Sequence, residues 1–167
     1  MITYHQGDLF KSNCQTLVCT VNCEGVMGKG IALEFKKNFP RMFIRYKDAC
    51  LYSKTQLKYG GDLWLFRYPD LEQFTLWTST ENGNMLITGR QSRILCFATK
   101  EKWRNPSKME RIERGLQEFV AKYKEWGITS IAFPKLGCSN GGLDWNKVRP
   151  LMEKYLGDLD IPVEIYC

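Results

Sequence analysis

Two glycine-rich stretches of this sequence have the composition of loops that bind phosphate groups. The first covers residues 25–30 within "NCEGVMGKGIALEF", and the second covers residues 137–142 within "PKLGCSNGGLDW". Glycine lets a backbone approach an anion closely, and the N–H groups at the start of a helix can donate to phosphate oxygens. Either stretch alone is explained by a tight turn, but the pair favours two loops that hold one anionic ligand.

Neither stretch matches a common nucleotide fingerprint. A P-loop needs G-x-x-x-x-G-K-[ST], whereas Lys29 is followed by Gly30, and no Ser or Thr is placed to bind Mg²⁺. The dinucleotide pattern G-x-G-x-x-G is met only at its first two glycines in "GKGIAL". The loops therefore predict a diphosphate held by backbone groups rather than a triphosphate that is hydrolysed.

Two polar residues follow the first two predicted strands and are further candidates for ligand contacts. The Asp8 carboxylate can accept a hydrogen bond from an adenine amino group, and the Asn22 amide can both donate to and accept from ribose hydroxyls. On residue type alone, Asp8 is equally suited to capping a turn, and Asn22 to bonding the backbone. The sequence leaves both alternatives open.

The seven cysteines and the single histidine, His5, form no metal-binding or disulfide pattern. No C-x-x-C pair is present, and a zinc site needs three or four ligands at compact spacings. We expect reduced thiols, most of them buried as small apolar side chains, and no metal or cofactor. Cys138 lies in the second glycine loop, but no histidine near it in sequence can act as its base, so a catalytic thiol is disfavoured.

Length, composition and charge limit the class of protein. The 167 residues suit one domain, and 44% hydrophobic with 25% charged residues is typical of a globular protein. No apolar run approaches the roughly 20 residues that cross a bilayer, and no export signal is visible, so we expect a cytoplasmic protein without membrane contact. The net charge of +6 favours a polyanionic partner. The segment "KEKWR" suits single-stranded nucleic acid, although a solvated surface explains it equally well.

Strand-like and helical patterns alternate along the chain and predict the elements that position these residues. Strands are predicted at residues 2–6, 16–21, 61–69, 93–99, 128–134 and 163–167. Helices are predicted at residues 31–39, 41–52, 106–126 and 145–156, the third of them capped by Gly127. A β-hairpin with an Asn-Gly turn is predicted near residues 69–91. This alternation predicts an α/β fold with a mixed, largely parallel sheet.

Several motifs resemble the macrodomain, a family of ADP-ribose-binding domains. These motifs are "QGDLF" at 6–10, "TVNCEGVMGKGIALEFKKNFP" at 20–40 and "PKLGCSNGGLDW" at 134–145. With "FATKEKWRNPS" at 97–107, the chain is most similar to the macrodomains of DarG antitoxins, and more distantly to the terminal ADP-ribose protein glycohydrolases. The resemblance implies a single three-layer α/β/α macrodomain over residues 1–167, with the hairpin near 69–91 as an insertion.

The resemblance also implies a role for each matching residue. Asp8 and the Leu9 backbone would hold the adenine, Asn22 would face the distal ribose, and the two glycine loops would hold the diphosphate. Lys100, which matches the lysine of the family's T-K motif, would be the catalytic residue. The implied ADP-ribose-binding residues are Asp8, Leu9, Thr20, Val21, Asn22, Gly28, Lys29, Gly30, Ile31, Leu136, Gly137, Cys138, Ser139, Asn140, Gly141 and Gly142.

The similarity to DarG implies a glycohydrolase that removes ADP-ribose from thymidine in single-stranded DNA, as an antitoxin to a cognate ADP-ribosyltransferase toxin. Human-type enzymes have an aspartate in the second loop where this sequence has Gly141, which also follows the DarG pattern. The candidate DNA contacts are Lys102, Trp103 and Arg104. A reader module that binds ADP-ribose without cleaving it and a hydrolase of protein-linked ADP-ribose are the alternatives. We expect a monomer. The sequence does not decide whether the chain is a fragment of a longer antitoxin.

Overall fold

The structure, a computed structural model, describes residues 1–51, 63–67 and 93–167. Within these ranges it contains one mixed sheet of six strands, four α-helices and a short 3₁₀ helix at Leu9–Lys11. The strands are β1 (Ile2–His5), β2 (Thr16–Val21), β3 (Leu63–Arg67), β4 (Arg93–Ala98), β5 (Ile131–Pro134) and β6 (Val163–Tyr166). The helices are α1 (Gly30–Asn38), α2 (Pro40–Leu51), α3 (Met109–Lys122) and α4 (Trp145–Leu156).

The strand order is β1-β6-β5-β2-β4-β3, and every neighbouring pair is parallel except β3 with β4. The prediction of a mixed, largely parallel sheet is therefore confirmed. Strand β2 lies in the centre, between β5 and β4. Because β5, β2 and β4 are parallel neighbours, the segments that follow them meet at one edge of the sheet. Ligands of open α/β sheets bind at this edge, beyond the carboxyl ends of the strands.

Two buried clusters cover the two faces of the sheet and make the fold three-layered. Alternate residues of β4 point to opposite faces, so that Cys96 packs with α1 and α2, whereas Phe97 packs with α3 and α4. Tyr46, a fully buried residue of α2, belongs to the first cluster. The predicted α/β/α layering is confirmed, and both faces of the sheet exclude water, as parallel sheets require.

Most predicted elements are found with small differences in their ends, and the prediction for the third helix is wrong at both ends. Helix α3 begins at Met109 instead of residue 106, because the preceding segment is bonded elsewhere: the Ser107 N–H donates to the Gly141 carbonyl at 2.9 Å. The helix ends at Lys122, and Tyr123 is its C-cap residue rather than Gly127. Gly127 has φ +63° and lies in the turns that follow the helix.

The other predictions about the chain divide into confirmed and untested ones. Cys14, Cys19, Cys50 and Cys96 are buried, which confirms that most of the cysteines are core residues. Within the described ranges, no helix combines the length and the apolar character needed to cross a membrane. The predicted hairpin near 69–91 lies outside the described residues.

Candidate functional site

The two glycine loops line one cavity of about 860 Å³ at the carboxyl ends of β2, β4 and β5. This volume lies within the range of small-molecule sites, about 300–1,000 Å³. Four basic residues line the cavity, Lys29, Lys100, Arg104 and Lys135, and no Asp or Glu is among the described lining residues. The cavity therefore has the charge and the size to hold an anionic ligand such as a diphosphate.

The structure brings together most of the residues predicted for the site. Those that line the cavity are Thr20, Val21, Asn22, Gly28, Lys29, Gly30, Ile31, Lys100, Trp103, Arg104, Gly137, Cys138, Ser139, Asn140 and Gly141. Asp8, Leu9, Lys102, Leu136 and Gly142 do not line it. Leu136 is fully buried in the core, so its side chain attaches the start of the second loop to the core.

Sequence reasoning missed a further set of lining residues. They are Val26, Ala32, Thr99, Pro134, Lys135, Tyr166 and Cys167. Most of them stand at or just beyond the carboxyl ends of β4, β5 and β6. Ligands of open α/β sheets bind at these strand ends. Applying that rule to every predicted strand would have identified most of these residues.

Asp8 and Leu9 have structural roles in the described contacts. The Asp8 carboxylate caps the 3₁₀ helix, because its Oδ1 accepts from the Phe10 N–H at 3.0 Å. Leu9 is 3% exposed and belongs to the core beside α1 and α2. The structure thus realises the capping alternative for Asp8, while the adenine role of the two residues stays a prediction.

Asn22 holds the backbone of the first glycine loop. Its side-chain amide donates to the Val26 carbonyl at 2.7 Å, and its Oδ1 accepts from the Glu24 N–H at 2.9 Å and the Val26 N–H at 3.3 Å. The buried Tyr46 hydroxyl donates to the Asn22 carbonyl at 2.7 Å. These bonds close a tight turn that follows β2. Contact with a ribose stays a prediction for Asn22, which does line the cavity.

The two loops face each other across the first turn of α1. Gly30 has φ +56°, and a Cβ added there would lie 2.6 Å from the Asn140 side-chain nitrogen of the second loop. Both the positive φ and this close approach favour glycine at position 30. Gly28 differs, because no atom of the described part of the chain lies within 4 Å of the position that its Cβ would take.

The second loop is closely packed against the segment that precedes α3. A Cβ at Gly141 would lie 2.3 Å from both the Gly137 carbonyl oxygen and the Ser107 hydroxyl oxygen. An aspartate therefore does not fit at this position, which gives a physical reason for the departure from the human-type pattern. Asp144 does not replace that aspartate, because it caps α4 by accepting from the Asn146 N–H at 2.9 Å.

Lys100 lies where β4 ends and contacts the second loop. Its Nζ donates to the Asn140 carbonyl at 3.1 Å, which places the amine against the wall of the cavity. Partial burial lowers the pKa of Lys100, because desolvation disfavours the charged ammonium. A lowered pKa increases the fraction of neutral amine, the form that can act as a nucleophile.

Cys138 lacks the properties of a reactive thiol. Burial raises the pKa of Cys138, although nearby Lys135 partly opposes that shift. Its Sγ donates to the Leu136 carbonyl at 3.4 Å. Because the nucleophilic form of cysteine is the thiolate, a raised pKa disfavours catalysis by this residue.

The segment that follows Lys100 is attached to the first glycine loop. The Glu24 carboxylate accepts from the Trp103 N–H at 2.9 Å, and the Cys23 N–H donates to the Glu101 carbonyl at 2.8 Å. Trp103 is 46% exposed, and the Arg104 guanidinium lies 4.7 Å from the centre of its ring. An exposed indole and a guanidinium are thus held beside Lys100 at the rim of the cavity. Across residues 1–51, 63–67 and 93–167, no group of three His, Cys, Asp or Glu side chains is placed to bind a metal ion.

The three-layer fold, the two facing glycine loops and the basic cavity are features of one protein family, and comparison with known proteins identifies that family. A model of the Macro domain matches residues 80–152. The solved macrodomain of Thermus aquaticus DarG is 35% identical, with a TM-score of 0.81, over 100% of this chain and 98% of that chain. The chain therefore belongs to the macrodomain family.

Two further matches come from Thermosipho africanus and are named for DNA ADP-ribosylation or for ADP-ribose. The "DNA ADP-ribosyl transferase-DNA ADP-ribosyl glycohydrolase fusion protein" of Thermosipho africanus is 43% identical over 96% of this chain and 40% of that protein. The structure "Thermosipho africanus DarTG in complex with ADP-ribose" is 39% identical, with a TM-score of 0.80, over 99% of this chain and 41% of that chain. The chain thus spans about two fifths of the length of this relative and of the curated proteins named "DNA ADP-ribosyl glycohydrolase" that it matches.

Proposed function

We propose that this chain is an ADP-ribosyl glycohydrolase domain that removes ADP-ribose from thymidine in single-stranded DNA, with Lys100 as the catalytic residue. The observation that carries the proposal is the place of the Lys100 amine. It lies 3.1 Å from the Asn140 carbonyl, at the wall of the cavity that both glycine loops line. Relatives from Mycobacterium tuberculosis and Thermus aquaticus named "DNA ADP-ribosyl glycohydrolase" support the reaction class.

In this proposal the two loops hold the diphosphate of ADP-ribose between them. Backbone N–H groups of residues 28–31, 137 and 139–141 donate to phosphate oxygens, and Lys29 and Lys135 add positive charge at the lining. Backbone binding needs no Mg²⁺, which agrees with the lack of a P-loop Ser or Thr. The distal ribose then faces the turn held by Asn22 and points its anomeric carbon toward Lys100.

The proposed chemistry uses the neutral amine of Lys100. The amine attacks the anomeric carbon, and the bond from that carbon to the thymine base breaks, with its electron pair leaving on the base. The base takes up the proton that the amine loses. Water then displaces the lysine nitrogen, so that ADP-ribose is released and the amine is restored. An ammonium that instead stabilises an oxocarbenium-like transition state is the alternative mechanism for the same residue.

General acid catalysis is not required in this scheme, because a nucleobase anion is a good leaving group. This agrees with a lining that has no carboxylate side chain among its described residues and with the tight packing at Gly141. By contrast, a poorer leaving group needs a proton from a positioned acid. The site is therefore better suited to a base-linked ADP-ribose than to a linkage with a poor leaving group.

The direct test replaces Lys100 and measures ADP-ribose release from ADP-ribosylated thymidine oligonucleotides. We expect Lys100→Ala to lose at least about 100-fold in kcat, as is usual for loss of a nucleophile or of a main electrostatic group. Lys147→Ala is the matched control, since Lys147 is an exposed lysine outside the cavity. Undiminished release by Lys100→Ala would contradict the proposed role.

The pH dependence separates the two mechanisms for Lys100. Because burial lowers the pKa of Lys100, the neutral amine accumulates at a lower pH than in a free lysine. A nucleophilic amine predicts a rate that rises with pH and levels off below about pH 10.4, the ordinary lysine pKa. An electrostatic ammonium predicts a rate that falls over the same interval. A further test stops the reaction during turnover and examines the protein by mass spectrometry. ADP-ribose attached to the peptide that contains Lys100 would support the nucleophilic mechanism.

A reader module that binds ADP-ribose without cleaving it is the second candidate function. The observation that favours it is the missing carboxylate, since the described lining offers no side chain that can act as a general acid. Calorimetric binding of ADP-ribose without turnover of DNA-linked or protein-linked substrates would establish this alternative. Faster release from a glutamate-linked protein than from thymidine-linked DNA would instead favour a protein hydrolase.

A cognate ADP-ribosyltransferase is the proposed protein partner. The Thermosipho africanus relative has both a transferase and a glycohydrolase name in one protein. We propose that the present chain reverses the modification made by such a transferase, as an antitoxin does. Coexpression with a DNA ADP-ribosyltransferase tests this proposal. The wild type should protect the cells from the transferase, and Lys100→Ala should protect them less.

A further inference from the structure

A second cavity, of about 410 Å³, adjoins the first at Lys100, which lines both. Its other lining residues come from the segment after β4 and from the start of α3, and they include Lys108, Arg111 and Arg114. Glu101 and Glu110 also line it, so the basic residues outnumber the acidic ones. Apart from Lys100, none of its lining residues takes part in the proposed binding of ADP-ribose, and we call it the α3 cavity.

The basic residues of the α3 cavity follow one another at intervals of three along the chain. Positions 108, 111 and 114 lie at the N-cap, in the first turn and in the second turn of α3, so their side chains share one face of the helix. The cavity is thus lined by a short row of cations whose spacing is set by the helix. A row of this kind matches a chain of phosphates better than it matches one isolated anion.

Arg111 is held in place by the protein. It is only 9% exposed, and its guanidinium lies 3.8 Å from the Cys23 sulfur at the start of the first glycine loop. A guanidinium already confined in this way loses little further side-chain entropy when an anion binds. The planar group also offers paired N–H donors that match phosphate oxygens. Lys108 and Arg114 are exposed and complete the row toward solvent.

The position of Lys100 relates the α3 cavity to the reaction. Because Lys100 lines both cavities, an anomeric carbon near Lys100 lies where the two cavities adjoin, and the DNA attached to that carbon can extend along the α3 cavity. Trp103, with the Arg104 guanidinium over its ring, is exposed beside this junction, at the lining of the larger cavity. An indole face suits stacking with a base, and a row of cations suits the phosphates that follow it.

We propose that the α3 cavity binds the DNA backbone phosphates next to the modified thymidine, through Lys108, Arg111 and Arg114, while Trp103 stacks on a neighbouring base. This inference rests on the proposed function, because it names the part of the substrate that lies beyond the bond to be broken. It assigns substrate specificity to α3: a polynucleotide carrying ADP-ribose is preferred over the same linkage without phosphates.

The experiment uses Arg114→Gln, Lys108→Gln and the double variant, with Lys147→Gln as the control that removes one positive charge elsewhere. Arg114 and Lys108 are exposed, so these variants are expected to fold. The first measurement is fluorescence anisotropy of an unmodified single-stranded thymidine oligonucleotide at several salt concentrations. We expect the double variant to bind at least about tenfold more weakly, and each single variant to lower the slope of log affinity against log salt by roughly 0.7.

The second measurement compares ADP-ribose release from an ADP-ribosylated oligonucleotide and from ADP-ribosylated thymidine without phosphates. We expect the ratio of the two kcat/KM values to fall at least about tenfold in the double variant and to stay the same in Lys147→Gln. If wild type cleaves neither substrate, the proposed function fails, and anisotropy still decides whether α3 binds DNA. Unchanged anisotropy and an unchanged ratio would overturn the inference while leaving the glycohydrolase intact. Binding losses that appear only with an ADP-ribosylated protein would assign the α3 cavity to a protein substrate and overturn it as well.

Discussion

The two glycine loops line the same cavity, yet Gly28 of the first loop and Gly141 of the second are packed differently. In the first loop, none of the residues that the structure describes approaches the position of a Cβ at Gly28, so their packing does not require glycine there. In the second loop, a Cβ at Gly141 would lie 2.3 Å from two oxygen atoms of the protein itself. The comparison teaches that packing within the protein requires glycine at position 141 but not at position 28, where close approach of a ligand is the proposed reason for glycine.

The loops also differ in how they are attached to the rest of the molecule. The Asn22 amide shapes the turn that leads into the first loop, and the outside bonds from Tyr46 and Trp103 reach residues 22 and 24 before that loop rather than the loop itself. The second is attached from outside, through the Ser107 N–H and the Lys100 ammonium, which donate to the carbonyls of Gly141 and Asn140. A change in the second loop should therefore affect both folding and the position of Lys100, whereas a change at Gly28 should affect ligand binding alone.

The largest effect is expected for Gly141→Ala. The new Cβ would overlap the Gly137 carbonyl, which is backbone and cannot move away as a flexible side chain can. We expect the free energy of unfolding to fall by about 3 kcal/mol, since overpacking costs about 1–3 kcal/mol and occasionally more. Urea denaturation of the variant and of wild type measures this difference in the free energy of unfolding. A loss below about 0.5 kcal/mol would show that the second loop is not constrained by packing.

A smaller effect, and one of a different kind, is expected for Gly28→Ala. The added methyl group enters open space, so the free energy of unfolding should change by less than about 0.5 kcal/mol. ADP-ribose should bind roughly tenfold more weakly, because the methyl group keeps the ligand from the backbone. Calorimetry with ADP-ribose and urea denaturation of the same variant separate the two quantities. Equal affinity with a large loss of stability would reverse the comparison between the loops.

The smallest effect is expected for Ser107→Ala. The Ser107 hydroxyl is buried and has no hydrogen-bond partner among the described residues, while its N–H bond to Gly141 does not depend on the side chain. Removing an unsatisfied buried hydroxyl should leave the free energy of unfolding within about 1 kcal/mol of wild type or raise it. Combining it with Gly141→Ala should recover only part of the lost stability, because the overlap with the Gly137 carbonyl remains. Full recovery would mean that the hydroxyl alone restricts position 141.

Much of the fold was predictable because it depends on local patterns. The range of β2 and the range of α4 were predicted to the residue, since a β-branched run and a helical apolar period are visible within a dozen residues. The ends of α3 were not, because the segment before Met109 takes its conformation from a bond to a distant loop. Helix ends depend on such contacts more than helix centres do.

The site divides in the same way. The two glycine loops and the diphosphate they suggest came from residue types and spacing, whereas the role of Lys100 came from the resemblance to the macrodomain. Lys135 and Tyr166 were missed, because a single lysine or tyrosine at a strand end has no distinctive pattern. The absence of an aspartate at position 141 was visible in the sequence, but its physical reason, the overlap with Gly137 and Ser107, was not.

The sequence by itself determined the alternation of strands and helices, the two glycine loops, and a positive net charge with no metal-binding pattern. Only the tertiary structure decided which of these features meet. Lys100 and Asn140 are 40 residues apart along the chain, and they are in contact because β4 and β5 flank β2 in the sheet. Residue types and short spacings specify local conformation, but strand order arises from the packing of the whole core, and that order places the amine at the wall of the cavity.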